Sequence, residues 1–195
     1  MNGSDAHIKN LILRSQSGNL EAFEELVRLF QGAIIRLATY LVGPDQADDV
    51  AQDVFVRVYR GLGAYRFRAS FSTWLYRVSL NVCYDRLRSV KRRRSREVSY
   101  EDRIDLVESE GLRAVGSTIL IPDEALQSRE LALTVRESLA QLSDKHRNVL
   151  VLHDIEGLTY DEIAAVVGCF PGTVKSRLFY ARAHLKQLLE EYLRA

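Results

Sequence analysis

The segment Gly157-Leu-Thr-Tyr-Asp-Glu-Ile-Ala-Ala-Val-Val-Gly-Cys-Phe-Pro-Gly-Thr-Val-Lys-Ser-Arg177 confines this part of the chain to two helices around a tight turn. Thr159, with Glu162 three residues on, is a capping box that opens the first helix. Ile163, Ala164, Val166 and Val167 give that helix its apolar side, and Gly168 ends it. Pro171 stands near the start of the second helix, where its missing N–H is no loss. Val174, Leu178, Ala181 and Leu185 recur at helical spacing and form the second helix's buried stripe. The unit reads as a helix-turn-helix.

Its second helix has another face. At about 100° per residue, Gly172, Lys175, Ser176, Phe179 and Ala183 lie opposite the stripe, with Tyr180 beside them. Small residues near the start permit close approach, and the cation, hydroxyl and rings suit base edges, thymine methyls and phosphates. Thr173, Arg177, Arg182 and Lys186 sit on the flanks, where phosphate contacts position a helix. The bland alternative is a helical hairpin with a solvated basic face.

A chain of 195 residues with 47% hydrophobic content can bury one sizeable core or two small ones. Three prolines and no glycine-rich tract argue against long low-complexity regions. No apolar run approaches the roughly 20 residues of a membrane span. The start, Met1-Asn-Gly-Ser-Asp-Ala-His7, lacks the basic and apolar regions of a signal peptide, so a cytoplasmic protein is expected. Cys83 and Cys169 fall in separate helical patterns and read as reduced packing residues, not metal ligands. The net charge of +1 hides segregation. Arg86, Arg88, Lys91, Arg92, Arg93, Arg94 and Arg96 form a basic run, and Asp45, Asp48, Asp49 and Asp53 an acidic group. Two opposed faces suit two partners, one of them nucleic acid.

Helical periodicity extends nearly throughout, giving an all-α fold. Ala22, Phe23, Leu26, Val27, Phe30, Ile34, Leu37, Ala38 and Leu41 keep one stripe from Leu20 to Val42, which Gly43-Pro44 breaks. Asp45 is expected to cap the next helix, whose face is Ala47, Val50, Ala51, Val54, Phe55 and Val58. Gly61 to Ser70 is a loop rich in aromatic and basic residues. A helix from about Phe71 to Val90 carries Phe71, Trp74, Leu75, Val78 and Val82 on one side but Leu80 and Leu87 on the other. It should be covered on two faces or use one on a partner. Periodicity fades from about Arg92 to Ile121, a tether in composition. Pro122-Asp123 opens a helix through about Gln141, and Ser143 is expected to cap another that ends near Gly157.

Two blocks in the first half complete a pattern: Asp48-Asp49-Val-Ala-Gln-Asp53-Val-Phe-Val-Arg-Val-Tyr59, and Phe71-Ser-Thr-Trp-Leu-Tyr-Arg-Val-Ser-Leu-Asn81 followed by Asp85-Arg-Leu-Arg88. With Leu158-Thr-Tyr-Asp-Glu-Ile-Ala164 and Cys169-Phe-Pro-Gly-Thr-Val-Lys-Ser-Arg177, the chain resembles bacterial sigma factors of the extracytoplasmic-function group. The likeness runs from about Leu11 to Leu193. It implies two small helical domains: domain two over 10–92, a flexible linker over 93–122, and domain four over 123–195.

The resemblance also implies roles. Asp48, Asp49, Gln52, Asp53 and Arg57 correspond to the surface that docks on the clamp helices of RNA polymerase core, where acidic residues meeting a basic coiled coil give orientation and on-rate. Asp45 and Asp48 are equally well placed to stabilise a helix N-terminus. The loop from Ala64 to Ser72 corresponds to the −10 reading loop, where a base is flipped from the stack into a pocket. That costs a few kcal/mol, which ring contacts offset. The implied −10 residues are Tyr65, Arg66, Phe67, Arg68, Phe71, Trp74, Asn81 and Arg88. Asn81 has a second reading as a satisfied core amide, and Phe71 and Trp74 as core rings.

Domain four would place Thr173, Lys175, Ser176, Arg177, Phe179, Tyr180 and Arg182 on the −35 element. Relatives carry arginine at one or both of the positions of Lys175 and Tyr180. Lysine lacks the planar fork and tyrosine offers one hydroxyl, so base preference does not carry over. The implied partners are polymerase core through its clamp helices and flap, promoter DNA and a cognate anti-sigma factor. No catalytic chemistry, cofactor, metal, small-molecule substrate or membrane insertion is expected. A freestanding repressor would leave the Trp74 block and the acidic helix unexplained. A magnesium nuclease using Asp45, Asp48, Asp49 and Asp53 would lack ligands from a second element, since Asp45, Asp49 and Asp53 share one helix face.

Overall fold

The computed structural model describes residues 3–101 and 123–194, with side-chain surroundings for 5–92 and 131–190. Among these the chain forms eight α-helices, one π-helical turn and no strand. Helix α1 (Gly3–Gln16) was not anticipated. Its Leu11 and Ile12 are buried, but only Ile8, Leu11 and Ile12 supply an inward side, too short a pattern to stand out. Gly18, at φ +90°, turns the chain, and Asn19 Oδ1 accepts from Ala22 N at 2.8 Å to cap α2 (Leu20–Val42).

Helix α3 (Pro44–Leu62) corrects one expectation. Pro44 occupies the first turn, so the capping position falls on Gly43, at φ +94°, and Asp45 lies inside the helix. Asp45 remains a first-turn acid, favourable to the helix dipole. Helix α4 runs from Phe71 to Glu101, beyond the expected end near Val90. No Gly or Pro interrupts it, and its Arg, Lys and Glu residues are good helix formers. The first nine positions of the expected linker are therefore helical; its remainder, 102–122, lies outside the described residues. Ser70 starts α4, its Oγ accepting from Thr73 N at 3.1 Å.

Helix α5 (Asp123–Gln141) begins and ends where the sequence places it. Ser143 precedes α6 (Asp144–Leu150) but makes no side-chain cap. Val151–Ile155 then widens into a π-turn, with Glu156 N bonded to Val151 O at 3.0 Å. Helices α7 (Tyr160–Val167) and α8 (Pro171–Arg194) follow.

Helices α1 to α4 form one bundle and α5 to α8 another. Fully buried residues such as Leu26, Leu37 and Leu75 in the first, and Leu139, Leu152 and Leu178 in the second, each contribute about 1.5–3 kcal/mol. The bundles also pack on each other, α4 against α7 and α2 against α5 and the π-turn. Direct packing is what a reading of two modules on a tether lacked. It also accounts for the two apolar sides of α4: one faces α2 and α3, the other α7.

Candidate nucleic-acid and polymerase interface

The helix-turn-helix is built as its punctuation requires. Glu162 N donates to Thr159 Oγ1 at 3.3 Å, and Thr159 N donates to Glu162 Oε2 at 2.9 Å. Gly168 takes φ +70°, ψ +46°, a conformation that ends α7 without the Cβ clash of other residues. Ile163, Val174, Leu178 and Ala181 close the core between the two helices. This leaves Phe179 68%, Tyr180 61% and Phe170 82% exposed. Rings so bare on a soluble surface are the feature that asks for a partner.

Around them Lys175 and Ser176 are exposed, and Thr173 and Arg177 partly so. Ser176 Oγ donates to Thr173 O at 3.0 Å and must turn outward to reach a base. Arg182 is engaged: Nε donates to Asp154 Oδ2 at 3.0 Å and Nη2 pairs with the other oxygen. Arg177 Nη1 lies 3.8 Å from Cys169 Sγ, and Lys186 pairs with Glu190 at 3.5 Å. A hollow of about 400 Å³ between Tyr160, Lys175, Phe179, Arg182 and Lys186 is apolar in its floor and cationic at its rim.

In the first bundle the loop before α4 is fastened from below. Gln16 Nε2 donates to Leu62 O at 2.9 Å and to Tyr65 O at 3.0 Å. Tyr65 is buried, its hydroxyl donating to Ala69 O at 2.7 Å, and burial pushes its pKa up. Its ring meets Phe67, Phe71 and Trp74, with centroids 4.9, 5.9 and 5.2 Å away. Phe71 is buried and meets Phe30 edge-on at 5.3 Å. Tyr65 and Phe71 therefore build the floor, whereas Phe67, Arg66 and Arg68 are exposed. Phe67 takes φ +56°, uncommon for a ring residue and a mark of local strain.

Two open hollows flank this cluster. One, of about 400 Å³, is lined by Ala64, Tyr65, Arg66, Arg68, Ala69, Trp74 and Arg77. The other, of about 710 Å³, lies toward α1 and includes Lys9, Phe30, Phe67 and Ser72. Both fall in the size range of ligand clefts, roughly 300–1,000 Å³. Trp74, Arg77, Asn81 and Arg88 follow one another along α4 within a narrow stripe, as the helical repeat requires. Asn81 is exposed, so it is not a core amide. Arg88 pairs with Asp85 at 2.6 Å. Arg77 was missed because a lone arginine in an apolar block reads as solvated.

On α3, Asp48, Gln52 and Asp53 are exposed and make no ion pair or side-chain hydrogen bond to the described residues. Asp49 and Arg57 are occupied: Asp49 pairs with Arg86 at 3.0 Å and Arg57 with Asp85 at 2.7 Å, bolting α3 to α4. The Arg57 and Arg88 guanidiniums hold the Asp85 carboxyl below the usual carboxylate range. The basic run is thus partly neutralised; the side chains of Arg93, Arg94 and Arg96 lie outside the described residues. Beside this acidic face Leu20, Phe23, Phe55, Val56 and Tyr59 line an apolar groove of about 590 Å³. Val56 and Tyr59 fall off the buried stripe of α3, the only trace of the groove in the sequence. Among the described residues no three His, Cys, Asp or Glu side chains converge on a metal position. No helix among them is long and apolar enough to cross a membrane.

Comparison with known proteins agrees with this division. Residues 26–94 match the sigma-70 region 2 family and residues 132–185 the sigma-70 region 4 family. The chain is 36% identical over 188 residues to the RNA polymerase sigma-H factor of Pseudomonas aeruginosa, covering 95% of both proteins. It is 31% identical to the sigma factor SigW of Bacillus subtilis, over 94% of this chain and 97% of that one. It is 32% identical to the sigma-E factor of Escherichia coli, over 94% and 95%. Among solved structures, CnrH in complex with the cytosolic domain of CnrY superposes with a TM-score of 0.67 at 27% identity, covering 95% of this chain and 98% of that one. The sigma factor RpoE of Bartonella quintana, in complex with the anti-sigma factor NepR, gives 0.58 at 25%, covering 86% and 96%. A capped helix-turn-helix, a ring-lined loop before α4 and near-complete coverage by these relatives make this chain a member of the sigma-70 family, in its extracytoplasmic-function group.

Proposed function

We propose that this chain binds RNA polymerase core, directs it to promoters with −35 and −10 elements and helps melt the latter. The observation that carries this reading is the presence in one chain of two exposed ring-and-cation surfaces on separate bundles. One is the α8 face with Lys175, Ser176, Phe179 and Tyr180; the other is the hollow beside Trp74 with the stripe through Asn81 and Arg88. The first suits a major groove, with Thr173, Arg177 and Arg182 at phosphates once Arg182 leaves Asp154. The second suits an extruded base, for which each ring stack is worth about 1–3 kcal/mol. Tyr65 lines that hollow and Phe71 backs Tyr65 and Trp74, while Arg66, Phe67 and Arg68 meet the strand.

Asp48, Gln52 and Asp53 with the adjoining apolar groove form the polymerase-docking face; Asp49 and Arg57 hold it on α4. Domain two occupies 10–92 and domain four 123–195, with 93–122 between them. The chain carries no catalytic step of its own, acts in the cytoplasm and is held in check by a cognate anti-sigma factor, as the relatives solved with CnrY and NepR suggest.

The deciding experiment is run-off transcription with bacterial core polymerase on a genomic promoter library. Transcripts from sites sharing one −35/−10 spacing are expected only when the protein is added. Trp74 is the single tryptophan, so its fluorescence gives an independent readout. Single-stranded −10 DNA should quench it, and an unchanged emission with no transcript would defeat the assignment.

A further inference from the structure

The two bundles meet through a buried carboxylate. Glu156, just after the π-turn, has a side chain only 1% exposed. Arg36 of α2 grips it with both arms of its fork, Nε to Oε1 at 3.2 Å and Nη2 to Oε2 at 3.0 Å. Tyr76 of α4 donates its hydroxyl to Oε2 at 3.0 Å. Around this centre Arg77 donates to the Ala165 carbonyl of α7, Asn148 of α6 donates to the Tyr84 hydroxyl, and Arg147 Nη1 reaches Leu41 O at 3.3 Å. Arg77 and Tyr84 lie to one side of Asn81 on α4, so α6 and α7 occupy the flank of the stripe proposed for the −10 strand.

This arrangement conflicts with engagement of both promoter elements. Elements centred about 25 base pairs apart are separated by about 85 Å of B-form duplex at 3.4 Å per step. A compact chain of 195 residues has a radius of gyration of about 16 Å, and so a width near half that separation. We propose that Arg36, Tyr76 and Glu156 are an interdomain latch that holds the chain closed, and that the latch parts when the two bundles take their separate sites on core polymerase and the promoter. The proposal rests on the promoter-binding reading for what opens it, and on geometry alone for what it holds. A carboxylate grips well here because it is shut away from water, where a bidentate arginine pair is strong. It also releases cleanly: Arg36 is half exposed, and opening returns Glu156 to solvent, so neither charge is stranded.

The test uses the full chain. Glu156→Gln keeps the shape of the side chain and removes its charge; Tyr76→Phe removes one hydroxyl. Small-angle scattering should give a radius near the compact value for the unmodified protein. The double variant should be larger by several ångströms at unchanged helical circular dichroism. Its association with core polymerase should tighten about three- to tenfold, because apparent affinity scales with the open fraction. Should the double variant fail to fold, Arg36→Gln tests the same pair from its exposed side. A folded variant with an unchanged radius overturns the latch, whatever the polymerase does. A larger radius with unchanged core affinity overturns it as a control on engagement. Failure of both proteins to bind core would instead bring down the sigma-factor reading, while the scattering still decides whether the latch holds the closed form.

Discussion

Single residues here carry measurable weight where they satisfy a backbone or hold a charge. Thr159 does the first, receiving the Glu162 N–H while Glu162 returns the bond. Thr159→Ala should cost about 1 kcal/mol, the usual worth of such a cap, read as a lower urea midpoint with an unchanged slope. Asp85 does the second. Its folded pKa lies below the ordinary 3.8, hydrogen bonds from Arg57 and then Arg88 being the cause. A depressed carboxylate stabilises the fold fully above 3.8 and loses that contribution as pH falls from there through its folded value. Asp85 is 43% exposed, so solvent screens the effect. A carboxyl NMR titration should place its midpoint below 3.8, and Arg57→Ala should move it upward. Both residues were legible in unequal measure. Thr159 announces itself because a cap is a local pattern; of the partners of Asp85, Arg88 lies three residues on in the same helix and is within reach of spacing, whereas Arg57 comes from another helix, which spacing does not encode.

Helices were legible where glycine, proline or a capping side chain punctuated an apolar stripe. The bounds of α2 and α5 match their sequence patterns. The end of α4 lies beyond the point where amphipathicity is lost, because arginine-rich sequence extends a helix well without an apolar stripe. Helix α1 was missed because so short a buried side leaves little periodic signal. The side chains of α3 divide by their pairing. Asp53 is exposed without an ion pair to the described residues, whereas Asp49 is tied to Arg86. Asp53→Lys should therefore weaken core binding about tenfold with thermal stability nearly unchanged. Asp49→Lys should lower both, since it sets two cations against each other. Comparing affinity with melting temperature for the two variants checks the distinction.

Across the whole molecule, the interface between bundles is what no linear pattern disclosed. Arg36 and Glu156 are 120 residues apart, and each reads alone as a solvated surface charge. Because the bundles share it, heat should unfold them together: Trp74 fluorescence, reporting on the first bundle, should share its midpoint with far-ultraviolet circular dichroism, reporting on both. In Glu156→Ala the two midpoints should separate, and separation already in the unmodified protein would show the bundles to be independent. The π-turn at Val151–Ile155 has a consequence of its own. It takes in one more residue per turn than an α-helix, so it sets an angular phase. Delete one residue there and the turn can close as an ordinary α-helical one, which keeps that phase but draws the chain after it in by about 1.5 Å. The second bundle would keep the angle of α7 and α8 on α6, yet Glu156 would be drawn back from Arg36. Over evolutionary time this stretch should tolerate changes of letter far more readily than changes of length.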